Sequence, residues 1–269
     1  MIPAPVRYAR AADVHDALVL LAEPDARPLA GGQSLLPVMK LRIVRPSLVV
    51  DISRLDLRGV HIHNGELHLG ALTTWDDLLR VEELRRPALS AITECAAAIG
   101  DLQVRNRGTV GGSIVHADPA SDIPAVLLAL RAAVKLRSPN GDRVIPLANF
   151  LVGPFTTALG AQELVTGIVL PIPEQGSGSA YVSLEHPASG FAVAGAAVLV
   201  GPSEERVIAL TGLTGTAFVL PEGVDPARAL ESTEIFGDRF ASTAYRRRLA
   251  VVLVERALER AARRAEEDR

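Results

Sequence analysis

Two short glycine motifs hold the residues best suited to chemistry: Ala30-Gly31-Gly32-Gln33-Ser34, and Thr109-Val110-Gly111-Gly112-Ser113, which runs on into Asp118-Pro119-Ala120-Ser121-Asp122. Each sets adjacent glycines beside a hydroxyl side chain. Glycine lets a backbone approach a phosphate closely and turn N–H groups toward it, so the two motifs read as loops gripping a pyrophosphate from both sides. Neither motif fits G-x-G-x-x-G opening a helix after the first strand, nor G-x-x-x-x-G-K-[ST], which argues against a Rossmann NAD site and a nucleoside-triphosphate hydrolase. Alone, either could be a tight turn. Together they suit a dinucleotide lying across a cleft between two small α+β halves.

Other chemistry is sparse. Cys95 is the only cysteine, which excludes an intrachain disulfide and an iron–sulfur cluster held by four thiolates of this chain. Redox chemistry therefore needs an imported cofactor. His61 and His63 share a strand face and could suit a metal, but no third ligand accompanies them in the sequence, and they read as surface polar positions. His116 and Asp118 beside the second motif resemble an acid–base pair; shaping the turn or tuning a cofactor fits them better. The net charge of -3 comes without a basic run, so neither nucleic acid nor a membrane surface is an expected partner. Arg246-Arg247-Arg248 sits among helix formers and reads as a solvated helix face. No signal core opens the chain and no run of about eighteen apolar residues interrupts it, which predicts no membrane span and a reducing, cytoplasmic setting.

Elements must position these motifs. With 269 residues, 48% of them hydrophobic, the chain can bury roughly three quarters of its unfolded surface. Periodicity predicts a helix over 13–23 with Val14, Leu18 and Leu21 on one face, a strand over 27–30, the glycine turn, a short helix over 34–41 and a strand over 48–52. A hairpin over 60–69 follows, turning at Asn64-Gly65, then helices over 74–81 and 87–98. Ser121 is placed to cap a helix over 123–130, with Asp122 and Pro124 in its first turn. Strands over 132–137, near 144 and over 163–171 complete the region. The stretch over 171–178, rich in proline and glycine, reads as a linker at a domain boundary. Beyond it lie three strand-like runs, over 179–184, 192–200 and 206–213. A long helix from Ser242 ends the chain, with Tyr245, Leu249, Leu253 and Ala257 in one row.

The extended motifs narrow the ligand. Ala30-Gly31-Gly32-Gln33-Ser34-Leu35-Leu36-Pro37, then Met39-Lys40-Leu41-Arg42, and Gln103-Val104-Arg105-Asn106-Arg107-Gly108 leading through the second motif to Ala117-Asp118 and Asp122, closely resemble the FAD-binding medium subunit of the molybdenum hydroxylases, the family of aerobic carbon monoxide and xanthine dehydrogenases. The resemblance spans essentially the whole chain, through landmarks at Gly70-Ala71-Leu72-Thr73-Thr74 and Glu163-Leu164-Val165 to His186-Pro187-Ala188-Ser189-Gly190-Phe191, Leu213-Thr214-Gly215 and Tyr245-Arg246-Arg247-Arg248. It implies an α+β protein: a two-subdomain FAD-binding fold of the PCMH/vanillyl-alcohol-oxidase type over 1–56 and 57–172, a linker over 173–178, and a C-terminal domain over 179–269. That last domain is expected to hold a three-stranded antiparallel sheet with a helix packed across it.

The resemblance also implies roles. Ala30, Gly31, Gly32, Gln33, Ser34 and Leu35, with Thr109, Val110, Gly111, Gly112 and Ser113, hold the FAD diphosphate. Ala117 and Asp118 border it, Asp122 binds the polyol or nucleotide portion, and Ile99 and Val165 line the flavin. Phe191 is left between approaching the flavin and packing the sheet. Ser113 stands where relatives often carry Asn or Asp, and Gly190 where many carry an acid. No residue is assigned a catalytic role, because a flavin relay needs binding and tuning from its protein rather than a base or nucleophile. The implied function is that of a noncovalent FAD subunit, with iron–sulfur clusters on a small partner, the molybdenum cofactor on a large one, and an external electron acceptor. A dimer of heterotrimers is the expected assembly, in the cytoplasm or at the inner membrane face through the acceptor. A self-contained FAD-dependent oxidoreductase and a flavin-less assembly subunit are the alternatives.

Overall fold

The computed structural model describes residues 2–203 and 205–269. The chain opens with β1 (Arg7–Arg10), α1 (Val14–Leu21), β2 (Arg27–Leu29), α2 (Leu35–Lys40) and β3 (Leu48–Asp51). β3 lies between β1 and β2 and runs parallel to both. Its four residues are all buried, as expected of a central parallel strand covered on both faces. Asp13 caps α1, accepting from the Asp16 N–H at 2.8 Å, and Ala17 and Leu18 bury against Val50, Ile52 and Leu55. At the end of β3, Asp51 accepts from Tyr8 Oη at 2.5 Å, Ser53 N at 2.9 Å and Arg10 Nε at 3.3 Å. Burial alone would push this carboxyl up, but these donors hold it at about 2.

A second sheet follows. β4 (Val60–His63) and β5 (Glu66–Gly70) form the expected hairpin, with Asn64 at φ 51° and Gly65 at φ 78°, the left-handed pair a tight hairpin turn requires. The chain then makes α3 (Trp75–Leu78), α4 (Ser90–Ala98), α5 (Leu102–Arg105), α6 (Val110–His116) and α7 (Ile123–Ala129). It returns through β6 (Ala133–Ser138), β7 (Gly141–Pro146), α8 (Leu147–Phe150), the small ribbon β8 (Leu151–Gly153) with β9 (Thr156–Thr157), and β10 (Leu164–Pro171). The sheet order is β4-β5-β10-β6-β7, antiparallel throughout. The helix expected over 74–81 is only α3, opened by a Thr74–Asp77 capping box, and the first turn expected of 87–98 is a 3₁₀ turn at Pro87–Leu89.

The third sheet corrects the sequence reading. It has four strands, not three: β11 (Gly178–Glu185), β12 (Ala192–Val200), β13 (Arg206–Thr211) and β14 (Phe218–Val219), antiparallel in that order. α9 (Pro226–Glu231) and α10 (Thr243–Glu267) follow. Ser242 caps α10 by accepting from Tyr245 N at 3.2 Å. The face of α10 against β11 and β12 is Ala250, Leu253, Val254, Ala257, Ala261 and Ala265. Tyr245, expected in the apolar row, is 50% exposed. Alanines let the helix approach closely: a Cβ on Gly178 would overlap the Ala261 carbonyl oxygen and lie 2.5 Å from Ala265 N. The proline- and glycine-rich connection before β11 is tied to the far end of this helix, where Asp268 accepts from Gly176 N at 2.8 Å.

The other face of the third sheet, through Tyr181, Ala197 and Ala209, joins the core built by α4, α6 and α7. Every residue of α7 is buried, because that helix lies between two sheets. The layers therefore run from the second sheet through these helices and the third sheet to α10. Among the described residues no helix is long and apolar enough to cross a membrane.

Candidate functional site

The first glycine motif is the turn between β2 and α2. Gly32 sits at φ 79°, a conformation that glycine adopts without strain. Among the described residues, none of the backbone N–H groups from Gly31 to Ser34 donates to a protein acceptor. Successive free N–H groups around a left-handed residue form a concavity that attracts anions. Ser34 occupies the N-cap of α2 without using its side chain there, which leaves the hydroxyl free as a further donor. Gly31 must be glycine for a second reason. A Cβ there would overlap the carbonyl oxygen of Arg107, lie 2.6 Å from its carbon and 3.1 Å from Gly108 N, so this bare Cα lets the first motif touch the approach to the second.

The second motif is not a loop. Thr109 caps α6, accepting from Gly112 N at 3.2 Å, and both glycines lie in the helix's first turn. Val110 N donates to Thr73 O at 3.0 Å, Gly111 N to Ala71 O at 2.9 Å and Ser113 N to Thr109 O at 3.0 Å. The motif therefore offers no row of free N–H groups, and the two glycine motifs are not equivalent grips. Gly111 is a packing glycine, since a Cβ would lie 2.7 Å from Ala71 Cβ. Gly112 is exposed, and a Cβ there would meet only Thr109 Oγ1, at 2.7 Å. Its outward face leaves room for a ligand.

Past α6, Ala117 turns left-handed (φ 50°, ψ 43°). Asp118 closes its own turn, accepting from Ala120 N at 2.9 Å. Ser121 does not cap α7: its hydroxyl pairs with Ser113 Oγ at 2.8 Å, so these two short side chains bond to each other. The N-cap is Asp122, whose side chain makes no cap. Its carboxylate instead accepts from the Tyr181 hydroxyl. Burial pushes this carboxyl up to about 6, the Tyr181 hydroxyl pulls against that shift, and the charge of Glu185 adds to it. The turn is also held from β13, where Thr211 Oγ1 donates to Ser121 O at 2.6 Å and Pro119 O at 3.1 Å. Tyr181 and Thr211 carry no motif and were not singled out from the sequence.

The remaining candidates are dispersed. Ile99 ends α4, half-buried, and Val165 is buried in β10 beside a bulge. Phe191 is 48% exposed at the β11–β12 turn, which overturns the reading of it as a sheet-packing aromatic. His116 lies against Phe155, ring centroids 5.3 Å apart, and makes no pair with Asp118. His61 stacks on His68 at 5.0 Å; among the described residues no cluster of three His, Cys, Asp or Glu side chains is arranged to hold a metal. Cys95 is buried and its thiol is pushed well up by burial and by Asp122, which makes it unreactive.

These features fit a diphosphate lying on the first motif and reaching the exposed face of Gly112. They include free donors on the first motif and two close backbone approaches that only glycine permits.

Comparison with known proteins identifies the family. A family described as the FAD binding domain in molybdopterin dehydrogenase matches residues 4–173. The carbon monoxide dehydrogenase medium chain of Afipia carboxidovorans is 36% identical over an alignment of 288 positions, covering 98% of this chain and 99% of that one. The glyceraldehyde dehydrogenase medium chain of Sulfolobus acidocaldarius is 40% identical over 202 residues, covering 74% and 71%. Among solved structures, a carbon monoxide dehydrogenase from Hydrogenophaga pseudoflava that lacks the Mo-pyranopterin moiety of its molybdenum cofactor superposes with a TM-score of 0.92 at 35% identity, covering 98% of this chain and 99% of that one.

Proposed function

The chain belongs to the family of FAD-binding domains of molybdopterin dehydrogenases, and on that premise we propose that it is the flavin-carrying medium subunit of a molybdenum hydroxylase whose substrate is oxidised on another chain. The observation that carries this reading is the run of free N–H groups from Gly31 to Ser34 packed against the backbone of Arg107 and Gly108. Those N–H groups donate to phosphate oxygens, and the Ser34 hydroxyl adds a further donor. Thr109 and Ser113 flank the open face of Gly112, where the second phosphate passes. Asp122 takes hydroxyls of the polyol or nucleotide, and Ile99, Val165 and Phe191 border the flavin. When bound, FAD would supply the chemistry that no side chain here provides, an electron relay between iron–sulfur clusters of a small partner and an external acceptor. The chain's own work is to bind, orient and shield.

On the same reading, the sheets over 1–56 and 57–172 form the two lobes of a PCMH/vanillyl-alcohol-oxidase-type FAD fold, and 179–269 is the C-terminal domain, packed on the helices of the second lobe. The complex is a cytoplasmic dimer of heterotrimers, assembled with the small iron–sulfur chain and a large molybdenum chain. Medium chains of carbon monoxide and glyceraldehyde dehydrogenases are alike related to this one, so the substrate is set by the large chain. Affinity purification of the tagged chain from its own cells tests this. Co-elution with FAD, iron and molybdenum is expected; turnover of an organic substrate by the chain alone would overturn it.

Gly112→Ala separates ligand contact from folding. Alanine gains about 1 kcal/mol of helix propensity and disturbs a Thr109 cap worth about the same, so urea unfolding should shift by less than about 1 kcal/mol. FAD affinity, read by flavin fluorescence titration, should fall at least ~10-fold, because the methyl stands where the phosphate passes. Unchanged affinity would remove the diphosphate from that face.

A further inference from the structure

We propose that Tyr181 is a positioning residue of the flavin site: its hydroxyl, carried on β11 of the third sheet, fixes the carboxyl of Asp122 at the head of α7 and thereby sets how the site grips its cofactor. This rests on the FAD reading of the cleft and extends the site into the C-terminal sheet.

The geometry is specific. Tyr181 is 3% exposed and Asp122 5%, and the hydroxyl donates to Asp122 Oδ1. Room for that hydroxyl exists only because residue 195 on β12 is glycine; a Cβ there would overlap Tyr181 Oη and lie 3.0 Å from Thr211 Cγ2. The backbone of Tyr181 is fixed as well. Its N–H donates to Glu94 Oε2 at 2.8 Å, and Glu94 Oε1 accepts from Arg264 Nη2 at 2.7 Å and Arg260 Nη1 at 2.9 Å. Arg264 Nη1 in turn donates to Ser179 O at 2.7 Å. A continuous chain of bonds thus runs from α10 through α4 and β11 to Asp122, while Thr211 and Gly212 hold the preceding turn through Pro119 and Ser121.

A buried carboxyl that meets one hydroxyl donor has little else to orient it. The ionisable groups that bear on Asp122 are Tyr181 and Glu185 of β11 and the neutral Cys95 thiol of α4. None is a cation. Removing the hydroxyl takes away the larger of the two influences that favour the ionised form, the other being the backbone N–H of Asp122 itself, so Asp122 should titrate at higher pH in Tyr181→Phe than in the wild type.

The test is a double-mutant cycle with Tyr181→Phe and Asp122→Ala on the full chain, read two ways. In FAD titration at pH 7, Tyr181→Phe should weaken binding ~10-fold in the Asp122 background and little in the Asp122→Ala background, and the pH midpoint of affinity in the Asp122 background should move upward. In urea unfolding of FAD-free protein, the two substitutions should be non-additive. Equal weakening in both backgrounds, or no change of affinity or midpoint in Tyr181→Phe, would overturn the proposal. Were the wild type itself to take up no FAD, the FAD reading would fall, and additive unfolding energies would then separately refute the Tyr181–Asp122 link.

Discussion

Gly31→Val should strip the protein of FAD. The new Cβ would overlap the Arg107 carbonyl oxygen and come within 2.6 Å of its carbon, and these are backbone atoms with no rotamer by which to yield. The first motif must therefore retreat from the segment at Arg107 and Gly108. Forced separation of packed backbone costs about 1–3 kcal/mol of stability. The functional loss is larger. The N–H groups of Gly31 to Ser34, unpaired within the protein, make charge-assisted bonds to a diphosphate worth about 1.5–3 kcal/mol each. Losing alignment of two or more weakens FAD binding by ~10³-fold or beyond. The checks are the ratio of FAD to protein after gel filtration and the urea midpoint. A variant that keeps its FAD would show that the close approach of the two motifs is not what builds the grip.

Asp122→Asn should stabilise the FAD-free protein at pH 8 while weakening its hold on FAD. The folded-state carboxyl lies at about 6, above the ordinary unfolded value near 3.9. A carboxyl raised in this way favours the folded state fully below the unfolded value, and that contribution disappears as pH rises through about 6. The difference of about two units corresponds to roughly 3 kcal/mol at most. Asparagine keeps the shape and an acceptor for the Tyr181 hydroxyl but never ionises. Urea unfolding at pH 4 and pH 8 should therefore show the wild type losing on the order of 1–3 kcal/mol more than the variant over that range. FAD affinity should drop by ~10-fold or more, since a carboxylate accepts from polyol hydroxyls better than an amide does. Parallel pH profiles for the two proteins would mean that Asp122 is not held in the interior as described.

Such a carboxyl is a place where a local rule gives way to function. An acid with no cation beside it, buried at a helix start yet not capping it, is costly to an empty fold. Its retention is intelligible if a ligand supplies the missing donors.

The sequence made some of this legible because the signals were local. Asn64-Gly65 between alternating residues specified its hairpin, Ser242 marked the start of α10, and the strands β11 to β13 fall where their apolar runs lie. The glycine motifs and their flanks identified the ligand class and the family. What escaped depended on tertiary packing. β14 is two residues long, too short to show alternation. Val110 to Ser113 looked like a loop because adjacent glycines oppose a helix; the Thr109 cap and the bonds to Ala71 and Thr73 override that preference. Ser121 reads as the cap of α7 by type, but the cap position falls to Asp122, and the spatial neighbours Ser113 and Tyr181 decide what each side chain does. Tyr181 is 59 residues from Asp122, with no motif around it to announce the contact.

The most direct test is to strip the full-length chain of bound flavin, confirm that it remains folded by circular dichroism, and titrate it with FAD while following visible absorption and fluorescence. Saturable, stoichiometric uptake that perturbs the flavin spectrum, and that Gly31→Val abolishes, is the expected result. A folded wild-type chain that leaves the FAD spectrum unchanged at every concentration would contradict the assignment of Gly31 to Ser34 and Gly112 as the diphosphate grip.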